Sequence, residues 1–94
     1  MKLNVEIRVM NEVRTGVSSA NGLPWKMQDV VVAWKEQMTD STTRENLQLV
    51  TLHGENVDRF AKINPQVGIT VLADLSFGTR TYGGRVYNDN RMYV

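Results

Sequence analysis

The chain contains no cysteine and only one histidine, His53, among its 94 residues. Disulfides and cysteine-based metal sites are therefore excluded, and a single imidazole cannot form a histidine-cluster metal centre. No long apolar run occurs, so the sequence predicts neither a signal peptide nor a membrane span, and we expect a soluble, cytoplasmic protein. The ten acidic residues are dispersed without the spacing typical of general acid–base catalysis. We therefore predict a protein that is not an enzyme and that uses no metal or cofactor.

Charge of one sign is also lacking, since eleven basic residues face ten acidic ones. Domains that depend on phosphate contacts are usually more basic, so this balance favours a protein-interaction module. Positive charge is nevertheless in excess in one segment of the chain. Between Leu75 and Val94 three arginines accompany one acid, Asp89. Any binding to phosphates is therefore expected to centre on this segment and to weaken with salt.

Alternation of polar and apolar residues predicts five strands. The first runs from Lys2 to Val17, and a bulge or bend is expected in its middle, because the alternation is interrupted at Met10 and Asn11. The remaining strands are predicted over Trp25–Trp34, Glu45–His53, Val67–Tyr82 and Arg85–Val94. Strand-like segments of this kind, joined by polar loops and without any linker or repeat, predict one domain spanning residues 1–94.

One segment has a helical period instead. A short amphipathic helix is predicted over Glu55–Ile63, following Gly54, with an apolar stripe made by Val57, Phe60, Ala61 and Ile63. This helix lies between the third and fourth strands, which is the element order of the OB-fold, a five-stranded Greek-key barrel. We therefore predict an all-β protein with one short helix, whose apolar stripe closes one end of the barrel.

The most informative segment covers residues 80–87, where two adjacent glycines separate two extended runs. The glycine pair predicts a two-residue turn, because such turns need positive φ at their centre. That turn pairs Tyr82 with Arg85 and Arg80 with Tyr87, and the period of two places all four side chains on one face. Alternating guanidinium and phenol groups suit phosphates and unstacked bases. The other interpretation is a solvated hairpin whose tyrosines pack across the strands beneath the arginine stems.

The opposite face of the last two strands is predicted to belong to the core. Its members are Val71, Ala73, Leu75, Phe77, Val86, Met92 and Val94. An error of one residue in the register would exchange the two faces, so this assignment and that of the arginines and tyrosines depend on the same turn.

Four motifs in order resemble a family of small bacterial OB-fold proteins related to single-stranded-DNA-binding proteins. They are Gly22-x-x-Trp25-Lys26-x-Gln28-Asp29, Leu52-x-Gly54-x-x-Val57-Asp58-Arg59-Phe60, Val67-Gly68 and Arg80-x-Tyr82-x-Gly84-Arg85-x-Tyr87. The resemblance covers nearly the whole chain from Gly22 onward. In the single-strand-binding proteins, DNA wraps over the exposed faces of strands two and three and the tip of the last hairpin. The resemblance therefore implies nucleic-acid binding by Trp25, Lys26, His53, Arg80, Tyr82, Arg85 and Tyr87, with Arg91 more distant.

The chain departs from that family in two respects. Leu47 and Leu49 stand on strand three where stacking aromatics are common, and the sequence stops at Val94 without a disordered acidic tail. We expect weaker binding and no tail-mediated recruitment of partners. These features suit a phage or mobile-element homologue, or a primosomal OB protein, in the cytoplasm or nucleoid of a bacterial or phage-infected cell.

Several side chains admit two interpretations. Trp25 is either a stacking platform or a plug for the barrel end, and His53 is either a boundary residue or a base-stacking one. Leu47 and Leu49 form an apolar outward face that suits a homodimer or tetramer interface.

We predict sequence-independent binding of single-stranded DNA, or of RNA, by base stacking and Arg/Lys–phosphate contacts. The alternative is an OB-fold interaction or oligomerisation module with incidental nucleic-acid affinity.

Overall fold

Alternating apolar residues form strands along most of the chain. The computed structural model describes all residues, Met1–Val94. Its elements are β1 (Lys2–Met10), β2 (Arg14–Val17), β3 (Pro24–Gln37), β4 (Thr43–His53), α1 (Glu55–Lys62), β5 (Thr70–Ser76), β6 (Thr79–Tyr82), β7 (Arg85–Asn88) and β8 (Arg91–Tyr93). The protein is thus mostly β with one short helix. Three predicted strands are each divided in two, as β1 and β2, β5 and β6, and β7 and β8.

A bulge in β1 explains why its apolar pattern changes phase. The pairing of β1 with β3 shifts register between Ile7 and Val9, so Arg8 is the additional residue. Beyond a bulge, the side chains exchange faces. Val9 is therefore 46% exposed, although its parity with Ile7 predicts burial, and Met10 packs against the core instead. The predicted interruption of the first strand is confirmed, and it begins two residues before the blurred alternation.

The main sheet returns on itself and is nearly closed. Its strand order is β1-β5-β8-β4-β3-β2, and β1 pairs in addition with β3. The first half of β1 lies against β5 and its second half against β3. β4 and β8 are parallel and are paired only at Thr51 and Arg91. A sheet closed in this way has one interior, and the core fills it.

The core is built mainly from small aliphatic side chains of the strands. Its buried members are Val5, Ile7, Val30, Val32, Val50, Leu52, Val57, Phe60, Ala73, Leu75 and Met92. α1 contributes Val57 and Phe60, whereas Ala61 and Ile63 of the predicted stripe are exposed. That part of the prediction is wrong because the helix ends at Lys62 and covers the barrel with only one narrow side. No helix is long and apolar enough to cross a membrane.

The β6–β7 hairpin forms a separate two-stranded sheet that no other layer covers. All eight of its residues are exposed. Val86, predicted to face the core, is 68% exposed, because the core layer ends with Leu75 and Met92. Phe77 is likewise 46% exposed and stacks on Trp34, with ring centroids 6.1 Å apart. The hairpin therefore presents both of its faces to solvent.

Candidate nucleic-acid interface

The register of the hairpin is the one that the glycine pair predicts. Arg80 lies opposite Tyr87, and Tyr82 opposite Arg85. The turn residues adopt positive φ, 59° at position 83 and 75° at position 84. A side chain at either position would be strained in this conformation, so the turn depends on glycine. Arginine and tyrosine consequently alternate across one face of a ribbon that projects from the barrel.

Both tyrosines of this face are accessible to a ligand. Tyr82 is 79% exposed and Tyr87 is 43% exposed. A shallow groove of about 380 Å³ lies along the hairpin and is lined by Arg80, Thr81, Tyr82 and Tyr87. Neither phenol ring is buried, and Tyr87 is the more covered of the two. The groove can accept a flat ring beside a guanidinium group.

Arg80 and Arg85 are the two arginines of the chain without a carboxylate partner. Every other arginine forms an ion pair at 4.0 Å or less, the partners being Glu6 and Glu45, Asp29, Glu36, Glu55 and Asp89. Charge that is already compensated inside the protein attracts a phosphate less strongly. The free positive charge of the arginines is thus concentrated on the hairpin, where each arginine lies opposite a tyrosine.

Arg91, the third arginine of this region, is held by its neighbour Asp89. Its Nε lies 3.0 Å from Asp89 Oδ1, and its Nη2 lies 3.3 Å from Oδ2. The hydrogen bond from Arg91 lowers the pKa of Asp89, and the same bond raises the pKa of Arg91. A phosphate would have to compete with this carboxylate, so the structure separates Arg91 from the two free arginines.

His53 lies at the end of β4, near the base of the hairpin. Burial lowers the pKa of its imidazole, and the positive charges of Arg91 and Arg80 lower it further. Its Nε2 is buried without a hydrogen-bond partner. The ring is therefore neutral at pH 7 and offers a flat, half-buried surface beside Met27, its cross-strand neighbour. It contributes no charge to the interface.

Trp25 lies on a different part of the surface. It is 41% exposed and stands opposite Gly16 in the β2–β3 ladder. Its indole covers that glycine so closely that a Cβ atom there would lie 2.7 Å from Trp25 Cε2. Composition gives no sign of this role for Gly16, because the contact depends on the pairing of β2 with β3. Trp25 is thus a partly exposed platform that rests on backbone, and it does not plug the barrel interior.

Lys26, the next residue of β3, connects this strand to the helix. Its Nζ lies 2.7 Å from Asp58 Oδ1, and both side chains are substantially exposed. Lys26, Asp58 and Trp25 line an open groove of about 470 Å³. The predicted binding residues therefore form two groups, one on the hairpin and one around Trp25, while His53 on β4 and Arg91 on β8 belong to neither.

We expect Gly16→Ala to displace Trp25 and to lower the free energy of unfolding by about 1–3 kcal/mol, the usual cost of overpacking. Urea unfolding followed by circular dichroism measures the stability, and tryptophan emission reports the displacement. Gly78→Ala is the matched control, because its nearest neighbouring atom would lie 3.8 Å from the new Cβ. Equal stability of both variants would show that the indole does not depend on this glycine.

Leu47 and Leu49 lie outward on β4, as the alternation predicts, and are 60% and 52% exposed. Across the β3–β4 ladder they stand opposite Ala33 and Val31. Val9 of β1 lies opposite Val31 on the other side. The three strands therefore share an apolar outer strip.

Together these features define a small, mostly β protein with a nearly closed sheet and a projecting hairpin that carries its uncompensated arginines. No protein-family model matches the chain, and no curated protein matches it. Its function is therefore inferred from the residues of its own surface.

Proposed function

We propose that this chain is an OB-fold protein, related to the single-stranded-DNA-binding proteins, that binds single-stranded DNA without catalysis and with little sequence preference. The pairing order supports the fold: the first strand, divided into β1 and β2, contacts both β3 and β5, and β4 runs parallel to β8. This order of neighbours favours a five-stranded Greek-key barrel.

The observation that carries the proposed function is the alternation of free arginine and exposed tyrosine on one face of the hairpin. Arg80 and Arg85 have no carboxylate within ion-pair distance, whereas the other arginines do. Tyr82 and Tyr87 expose ring surface beside them. Stacking needs bases that are not stacked on each other, so this combination favours a single strand over a duplex.

Salt dependence separates a phosphate contact from a merely exposed arginine. For Arg80→Gln or Arg85→Gln we expect the slope of log K against log salt for oligo-dT to fall by about 0.7, the value of one phosphate contact on a single strand. Titrations at several salt concentrations measure the slope. Arg44→Gln is the matched control, since Arg44 is exposed but bound to Glu36 at 3.0 Å. An unchanged slope in both hairpin variants would remove these arginines from the interface.

The class of ligand is tested by fluorescence anisotropy with a labelled oligo-dT, the corresponding oligo-U and a duplex of the same length. We expect binding to the DNA single strand to be tightest and to weaken as salt is raised. Equal affinity for the duplex would contradict a stacking mechanism. Tighter binding of oligo-U would retain the mechanism and change the ligand from DNA to RNA.

A second function, a protein-interaction module, is favoured by a specific observation. The net charge is +1, and most charged side chains outside the hairpin are paired within the chain. Absence of oligo-dT binding at low salt, with the protein folded, would favour this function. OB barrels serve many functions, so the fold alone does not decide between the two.

A further inference from the structure

The arginine and tyrosine face of the hairpin ends in a carboxylate, that of Asp89, at the base of the hairpin. The N–H of Asp89 donates to Gly78 O at 2.8 Å, which continues the β6–β7 ladder one residue beyond Asn88. Side chains alternate between the two faces of a strand, so Asp89 lies on the same face as Tyr87 and Arg85. It is the only acidic residue between Leu75 and Val94.

Positive charge lies on two sides of this carboxylate. Asp89 accepts hydrogen bonds from Nε and Nη2 of Arg91, at 3.0 Å and 3.3 Å. Arg80 is its diagonal neighbour in the ladder, because Arg80 lies opposite Tyr87. The hydrogen bond from Arg91 lowers the pKa of Asp89 most, and the charges of Arg91 and Arg80 lower it further. The carboxylate is therefore ionised at neutral pH and lies where a phosphate would meet two arginines.

Arg91 binds Asp89 in the way in which arginine binds a phosphate. Its Nε and one terminal nitrogen each meet a different oxygen of the carboxylate. Guanidinium groups make the same two-pronged contact with phosphates, and their donors are fixed in one plane. The edge of Arg91 that faces Asp89 is therefore occupied for as long as the pair persists.

The backbone holds the two side chains of this pair in place. Asp89 is fixed by its hydrogen bond to Gly78, and Asn90 O accepts from the N–H of Thr51 at 2.9 Å. Arg91 then pairs with Thr51 on β4 and with Ser76 on β5. Exposed ion pairs usually contribute little, partly because two mobile side chains must be ordered. Here the exposed fractions are only 37% for Arg91 and 26% for Asp89, so much of that ordering is already supplied by the fold.

We propose that Asp89 keeps Arg91 out of contact with the nucleic acid and so limits the hairpin to the phosphate contacts of Arg80 and Arg85. This inference rests on the proposed function, because it concerns the same face and the same ligand, single-stranded DNA. A phosphate that approaches Arg91 has to displace the carboxylate and is repelled by its charge. Asp89 therefore sets how tightly the strand is held and how steeply its binding depends on salt.

Asp89→Asn tests the proposal, because it removes the charge and preserves the shape of the side chain. We expect about tenfold tighter binding of labelled oligo-dT at low salt, and a slope of log K against log salt that steepens by about 0.7, since Arg91 becomes a further phosphate contact. Fluorescence anisotropy over a salt series measures both quantities. Glu36→Gln is the matched control, since it removes the same charge and frees Arg44 on the β3–β4 ladder. Equal gains from the two variants would trace the effect to net charge and overturn the proposal.

A double variant tests whether Asp89 acts through Arg91. Arg91→Gln in the parent chain should leave the salt slope unchanged, and Asp89→Asn/Arg91→Gln should lose the gain of Asp89→Asn. Such coupling is the signature of the pair, because a carboxylate that only repels phosphate would give the same gain with or without Arg91. A gain that survives in the double variant, or a slope that falls when Arg91 alone is replaced, would refute the proposal.

The Nε–H signal of Arg91 in ¹⁵N–¹H spectra reports on the pair itself. We expect saturating oligo-dT to leave this signal in place in the parent chain and to shift it in Asp89→Asn. A shift in the parent chain would mean that the strand displaces Asp89 without help, which contradicts the proposal.

The two proposals fail separately in these titrations. A parent chain that binds oligo-dT, together with an Asp89→Asn chain that binds it equally well, would refute the role of Asp89 and retain the proposed function. Absence of binding by both folded chains would refute the proposed function and this inference with it.

Discussion

Replacing Tyr82 and Tyr87 together by alanine is expected to weaken binding of oligo-dT by about 1–3 kcal/mol for each lost stack, or about 5-fold to 150-fold per tyrosine. Both rings are exposed, and neither belongs to the core, so the fold should be unaffected. Fluorescence anisotropy at one fixed salt concentration measures the change. The effect is large because the hairpin offers no other aromatic surface to a base.

A matched control distinguishes this site from general aromatic exposure. Tyr93 on β8 is 42% exposed, nearly the same as Tyr87, but lies outside the hairpin. Tyr93→Ala should leave the affinity unchanged. A double hairpin variant that folds and binds like the parent protein would remove the tyrosines from the interface. Equal losses from Tyr93→Ala and Tyr87→Ala would spread the binding surface over the barrel.

The hairpin could be predicted in detail because its geometry depends on local chemistry. Two adjacent glycines supply positive φ at both turn positions, and the turn then determines every cross-strand pair. The exposure of Val86 could not be predicted, since it depends on where the covering layer ends. Alternation shows which residues share a face and does not show what lies against that face.

The difference between free and bound arginines could not be predicted either. Arg91 stands only two residues after its partner Asp89, but Arg14 and Arg44 pair with Asp29 and Glu36 on a neighbouring strand. Ion pairing depends on side-chain positions across strands, and the sequence shows these only where the register is known. The contact between Gly16 and Trp25 is of the same kind.

The bulge at Arg8 illustrates a third limit. The interrupted alternation predicts an irregularity in the first strand, but its position depends on how β1 divides its pairing between β5 and β3. The bulge places Val9 on the outer face, where it extends the apolar strip formed by Val31 and Leu49. The alternation of the sequence predicts the two outward leucines of that strip but not the valine.

We expect Phe60→Ala to reduce the free energy of unfolding by about 3–5 kcal/mol. This is a large fraction of the roughly 5–15 kcal/mol that stabilises a typical domain. Phe60 is completely buried and is the largest side chain in the core. The same core cluster contains four valines on paired strands, whose stiff side chains resist moving inward to fill the cavity. Urea unfolding followed by circular dichroism measures the loss.

The same variant tests how α1 supports the surface. Ile63→Ala is the control, because Ile63 follows the helix and is 48% exposed, so it should cost less than about 1 kcal/mol. A comparably small loss for Phe60→Ala would mean that α1 is not anchored in the core. α1 also carries Asp58, the partner of Lys26. The hairpin contributes no residue to the core cluster and forms a separate sheet. Under conditions where the Phe60→Ala chain stays folded, we therefore expect the groove beside Trp25 to loosen. The affinity of the hairpin for oligo-dT should be retained.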